Sequence, residues 1–254
     1  MIVVIAVVAG LLIGSFLTVV IDRVPRGASI VAPGSACGGC HRQLAPIDLV
    51  PVFSWLFLRG KCRRCGASIG VESVVVEIVT AALFTVMMLN FERPIVGVAH
   101  CVLVAGLVAL TAIDLRTKRL PREISYATIA IGAPLLTISA FVVDEPRRIA
   151  TALLGAVIAT AVMAALYTIS RGGLGDGDVR LSPLLGVYLG WSNPGLALVG
   201  LFYGFIIGSV VGVGLMIAGR AGRRTALPFG PFLSVGCLIA VLQGQAFIDA
   251  VMAR

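Results

Sequence analysis

Apolar residues run in long blocks along this chain, and polar residues gather between them. Stretches able to cross a bilayer as helices extend over Ile2 to Ile21, Ser73 to Leu89, Ile95 to Ile113, Ile124 to Val143, Ala150 to Ile169, Gly195 to Ala218 and Phe229 to Met252. A shorter block, Leu181 to Trp191, gives an eighth span if it tilts or crosses briefly, and seven remain if it is re-entrant. The expected fold is an all-α polytopic membrane protein. It divides into a first span (1–21), a loop domain (22–72) and a transmembrane core (73–254).

Composition agrees, because 59% hydrophobic and 13% charged residues lie far outside the range of a soluble domain. The charge of +8 is then a matter of topology and not a nucleic-acid footprint. With the N-terminus outside, Arg23, Arg26, Arg42, Arg59, Lys61, Arg63, Arg64, Arg116, Lys118, Arg119, Arg122, Arg171, Arg180, Arg220, Arg223 and Arg224 fall inside. Arg93, Arg147, Arg148 and Arg254 fall outside, so 16 of 20 basic residues are cytoplasmic and both termini of an eight-span chain are external. The basic loops would also attract anionic lipid headgroups. The first span has no basic residue ahead of it, unlike a signal peptide, and is read as retained.

Two carboxylates stand where apolar runs end: Asp114, in Ile113 to Pro121, and Asp178, in Gly173 to Leu181. An ionisable group at such a depth calls for a function. Two of them, able to meet in a bundle on the cytoplasmic side, are the minimum equipment of an aspartyl protease, which needs one protonated and one ionised carboxyl. Gly175 and Gly177 flank the acidic pair Asp176 and Asp178, allowing close backbone approach and local unwinding. The same carboxylates are compatible with a proton- or cation-coupled transporter or channel, although no inverted repeat accompanies them.

The loop domain carries Cys37-Gly38-Gly39-Cys40 and Cys62-Arg63-Arg64-Cys65, two knuckles separated by 21 residues. That spacing suits a four-thiolate structural zinc. A pair of disulfides is the other possibility, disfavoured by a reducing cytoplasm. A domain of roughly fifty residues has too little core to stand without a staple. The run Leu49 to Leu58 is too short to span; it forms a small core or rests on the bilayer. His41 is a conceivable ligand, more simply a solvated residue.

Other polar or small residues take plainer readings. Gly200, Gly204, Gly208 and Gly212 form a close-packing stripe. Cys101 and Cys237 are small apolar packing residues, and His100 makes a bundle hydrogen bond. Asp22 and Glu72 are solvated at span ends. Glu77 either pairs with a loop arginine or serves a binding role.

In these motifs the chain resembles the bacterial type IV prepilin peptidases, membrane aspartyl proteases of the glycine-x-glycine-aspartate class. Gly14 to Ile21 looks like that family's opening motif, with Thr18 where asparagine is usual. Cys37 to Ile69 is similar to its cysteine domain, closed by Val76-Glu77. Asp114 to Pro121 and Gly175 to Leu181 match its two aspartate motifs, with Arg180 in place of a common lysine. Pro228 to Leu233 looks like a further signature. Arg122 and Ser73-Val74 depart from the family pattern. The resemblance implies Asp114 and Asp178 as catalytic residues supported by Gly175, Gly177 and Arg180, and a type IV prepilin or pseudopilin as substrate. It also implies S-adenosylmethionine-dependent N-methylation of the new N-terminus, in the bacterial cytoplasmic membrane.

Overall fold

A computed structural model describes residues 1–170, 173–220, 222, 225 and 227–252, with side chains described as far as Gln243. The basic residues Arg171, Arg223, Arg224 and Arg254 of the charge count lie outside the described residues. The described chain is helical: α1 (Ile2–Arg23), α2 (Phe53–Phe57), α3 (Glu72–Asn90), α4 (Pro94–Thr117), α5 (Arg122–Val142), α6 (Arg147–Ser170), α7 (Asp176–Ser192), α8 (Leu196–Ile217) and α9 (Gly230–Met252). Among the described residues six helices are long and apolar enough to cross a membrane: α1, α3, α4, α5, α6 and α8. Helix α7 has 17 residues and a polar first turn, so the eight expected spans correspond to these six plus α7 and α9. This is a multi-pass membrane protein.

The chain falls into two compact units, Met1–Ala109 and Leu110–Arg254. In the first, α1 packs against α3. A Cβ on Gly14 would sit 2.6 Å from the Glu77 backbone, and Gly10 meets Ala81 even more closely. Such contacts between apolar helices are stabilised by packing, because lipid offers no hydrophobic drive to hold them.

In the second unit the same device joins α6 to α7 and α8 to α9. Gly155 faces Gly186 and Gly190, and a Cβ at Gly190 would lie 2.6 Å from the Thr151 carbonyl oxygen. Gly200, Gly204 and Gly208 lie against Cys237, Leu233 and Phe232 of α9, which makes most of the expected stripe a helix interface; among the described residues a Cβ on Gly212 would meet only the Leu227 side chain. Tyr188 is fully buried, its hydroxyl set against Gly132 of α5. Trp191 donates its indole N–H to the Leu136 carbonyl at 3.1 Å, and Arg148 stacks on its ring at 4.4 Å. These contacts bring the two ends of α7 under control: the Trp191 end is tied to α5, and the Asp178 end is left to build a site.

Candidate active site and cysteine lobe

Helix α4 carries its aspartate inside the last turn, not beyond it. The Asp114 carbonyl accepts from Lys118 N–H at 2.8 Å, and Lys118 then takes a left-handed conformation (φ 53°) that turns the chain away. The Leu120-Pro121 step follows, and Pro121 stands as the N-cap of α5, where its missing N–H costs nothing. The sequence therefore places Asp114 one turn before a sharp exit, with Leu120 projecting back toward it.

Helix α7 begins with Asp176, Gly177 and Asp178, behind Gly175 in extended conformation at the N-cap. Acidic residues in a first turn suit the partial positive charge of unpaired N–H groups. Their environments differ. Asp178 is 5% exposed, and its Oδ1 has no hydrogen-bond partner among the described residues. Asp176 instead pairs with Arg180 at 2.8 Å on the exposed side. Asp114 is 4% exposed and accepts at Oδ2 from the Gly230 N–H at 3.0 Å. The charge of Asp114 reaches Asp178. A Cβ on Gly177 would lie 3.1 Å from Leu120 Cβ, so the leucine of the first aspartate motif packs onto the glycine of the second. Two buried carboxyls within electrostatic reach, one with an unpaired oxygen, form an arrangement able to share a proton.

The signature around Gly230 was visible in sequence only as a resemblance. Its contact with Asp114 carries no local signal, because 116 residues separate the two.

In the first unit the four cysteines converge, their Sγ atoms all within 4.8 Å of one another. Each knuckle is built alike. Cys37 N–H donates to Arg42 O and His41 N–H returns to Cys37 O; Cys62 N–H donates to Ala67 O and Gly66 N–H returns to Cys62 O. The residue after each second cysteine is left-handed: His41 at φ 56° and Gly66 at φ 72°. His41 is thus a turn residue matching Gly66. Gly39 N–H and Arg64 N–H approach the sulfurs of Cys37 and Cys62 at 3.4 and 3.5 Å.

A tetrahedral thiolate site with metal–sulfur bonds of 2.3 Å needs sulfurs about 3.8 Å apart; Cys37 and Cys65 are 3.7 Å apart. That distance is also far beyond a disulfide bond, and all four are free thiols. The cluster can hold a structural metal. Cys37 is held down at about 6 by the N–H groups of Cys40 and Gly39 and by Cys62. Cys65, although the Ala67 N–H favours its thiolate, is pushed up to about 11 by desolvation and by the neighbouring thiols.

Glu77 of α3 is buried and faces this lobe, accepting at Oε2 from Val52 N–H at 2.7 Å. Among the described residues its partners are a strained loop amide and the Ser15 hydroxyl, and not an arginine. Trp55 closes the lobe's small core, donating to the Ile69 carbonyl at 3.1 Å with its ring against Gly60.

Comparison with known proteins agrees with this layout. Residues 8–91 match the bacterial peptidase A24 N-terminal domain, and residues 101–216 match the type IV leader peptidase family. The chain is 31% identical over 240 residues to a prepilin leader peptidase/N-methyltransferase of Bacillus subtilis (strain 168), covering 94% of both chains. It is 38% identical to the protein of that name from Myxococcus xanthus (strain DK1622), over 86% of this chain and 64% of the relative. The one from Aeromonas salmonicida (strain A449) is 29% identical, over 93% of this chain and 89% of the relative. The chain belongs to the type IV leader peptidase family. Membership makes it an aspartic-type membrane peptidase of prepilin leaders, and nothing in the fold or the relatives supports the transporter alternative. No solved structure matches it.

Proposed function

We propose that Asp114 and Asp178 are the two catalytic carboxyls, and that the substrate is a type IV prepilin or pseudopilin presented at the cytoplasmic face of the bacterial plasma membrane. The observation that carries the reading is the buried pair, in which the charge of Asp114 reaches Asp178 and the Oδ1 of Asp178 has no hydrogen-bond partner among the described residues. One carboxylate takes a proton from water as its oxygen attacks the scissile carbonyl. The other, protonated, polarises that carbonyl and then returns a proton to the departing amine. Gly175 and Gly177 leave room for an extended peptide, and Arg180 keeps Asp176 on the solvent side.

The basic segments beside the site suit anionic headgroups and support a cytoplasmic face for it. In this reading the chain works as a first span (1–21), a tetracysteine lobe (22–72) and a peptidase core (73–254). Cys37, Cys40, Cys62 and Cys65 would hold zinc, which would staple the lobe and take no part in proteolysis. N-methylation with S-adenosylmethionine rests on the names of the relatives; no residue of this chain is assigned to the methyl donor.

Mass spectrometry of a prepilin co-expressed with this protein tests the whole reading. Leader loss and an added methyl group are expected, both absent with Asp114→Asn. An intact leader beside folded wild-type protein would sink the proposal.

A further inference from the structure

Gly230 opens α9, and its N–H is one of the first-turn donors that no helical carbonyl can take. Pro231 has no N–H at all, so Gly230 presents the first donor of the helix. That donor goes to Asp114 Oδ2 at 3.0 Å, in a buried setting. A Cβ at position 230 would lie 2.9 Å from Asp114 Oδ2 and 2.9 Å from Leu120 Cδ2. Leu120 in turn rests on Gly177, one residue before Asp178. A single side chain, Leu120, therefore sits against a glycine at the start of α9 and a glycine in the first turn of α7.

We infer that Gly230 is a positioning residue of the catalytic pair: its N–H orients the Asp114 carboxylate toward Asp178, and its missing side chain lets Leu120 seat against Gly177. The inference rests on the reading of Asp114 and Asp178 as the dyad. It adds a third chain segment to the centre, one that contributes backbone alone. A hydrogen bond from a fixed amide holds one carboxylate oxygen and arrests rotation of the group. Aspartyl chemistry needs that arrest, because misplacement of a reacting group by about 1 Å costs on the order of a hundredfold in rate.

The test uses full-length protein in detergent micelles with a purified prepilin, reading kcat, KM and thermal unfolding. Two changes are made at the site. Gly230→Ala adds a methyl group against Asp114 and Leu120, whereas glycolic acid introduced at position 230 by nonsense suppression replaces the N–H with an oxygen and adds no bulk. Gly214→Ala, at a position with nothing within 4 Å, is the control.

Both site changes are expected to lower kcat about a hundredfold with KM within about threefold, and the glycolic-acid variant is expected to stay folded with a modestly lower unfolding temperature; the control keeps wild-type rates. If Gly230→Ala does not fold, the glycolic-acid variant decides. A glycolic-acid variant that cleaves at the wild-type rate, or one that changes only KM, overturns the inference. Asp114→Asn run alongside separates the levels. If it cleaves, the dyad reading has failed; if it is inactive while the glycolic-acid variant is active, the positioning role alone has failed.

Discussion

Asp176 and Asp178 share the first turn of α7 but occupy opposite environments: the Asp176 side chain is 65% exposed and bound to Arg180, whereas Asp178 is 5% exposed with a bare Oδ1. Two residues along a helix turn the side chain through more than half a revolution. The acid that can be solvated is, and the acid that cannot be is left beside Asp114.

The first prediction follows from that division. Asp114→Asn and Asp178→Asn should each abolish leader cleavage with the protein still folded, and the double variant should be no worse than either, since paired catalytic groups act as a unit. Asp176→Asn should retain most activity, because it loses only an exposed ion pair, typically ~0.5 kcal/mol. Cleavage is followed by the mass of the product. Activity in Asp178→Asn with none in Asp176→Asn would move the dyad by two residues.

The cysteine lobe makes a prediction about protons. Metal-free Cys37, held at about 6, is a thiolate at neutral pH, whereas Cys65, at about 11, keeps its proton. A metal needs all four as thiolates. Uptake near neutral pH should therefore expel the Cys65 proton, and affinity should rise with pH through the interval between the two values. Below about 6 the Cys37 thiolate is lost as well, and affinity should fall more steeply. Calorimetric titration in buffers of different ionisation enthalpy measures the protons released, that of Cys65 among them. Cys37→Ser or Cys62→Ser should lose the metal and loosen the lobe while the membrane helices persist. A metal-free purified protein with four disulfide-bonded cysteines would refute this.

Glu77 offers a third. Val52 is β-branched and sits at φ 60°, a conformation the chain does not adopt without restraint. The Glu77 carboxylate supplies part of that restraint through a 2.7 Å bond. Glu77→Ala should release the loop and cost about 2 kcal/mol, seen as faster protease cleavage near residues 46–58. Glu77→Gln keeps a carbonyl acceptor and should protect the loop nearly as well as the native residue. Equal proteolysis of wild type and Glu77→Ala would show that the bond restrains nothing.

The fourth concerns topology. A reporter fused after Arg64 or Lys118 should score cytoplasmic, and one after Arg148 external, because basic residues gather on the inner side. An external score at Lys118 would carry Asp114 to the wrong face for a cytoplasmic leader.

The long helices were legible because hydropathy reports burial in lipid directly. Ile2 to Ile21 became Ile2–Arg23, and Ser73 to Leu89 became Glu72–Asn90. Hydropathy failed where a helix starts polar: Leu181 to Trp191 is only the apolar part of a helix that begins at Asp176. It also missed α2, five residues within the apolar run of the loop. The thiolate cluster was readable from spacing, since two knuckles brought together leave few other arrangements. The bonds from Gly230 to Asp114 and from Val52 to Glu77 were not readable. Each joins a backbone amide to a distant carboxylate, and an amide leaves no mark on residue identity.

The bond between Gly230 and Asp114 also has a meaning in time. Asp114 and Asp178 both precede α9 in the chain and are synthesised before it. Until α9 arrives, Asp114 Oδ2 lacks its amide. A chain that lacks α9 would thus carry both acids without that amide, and on the dyad reading its centre would be complete only once α9 has packed.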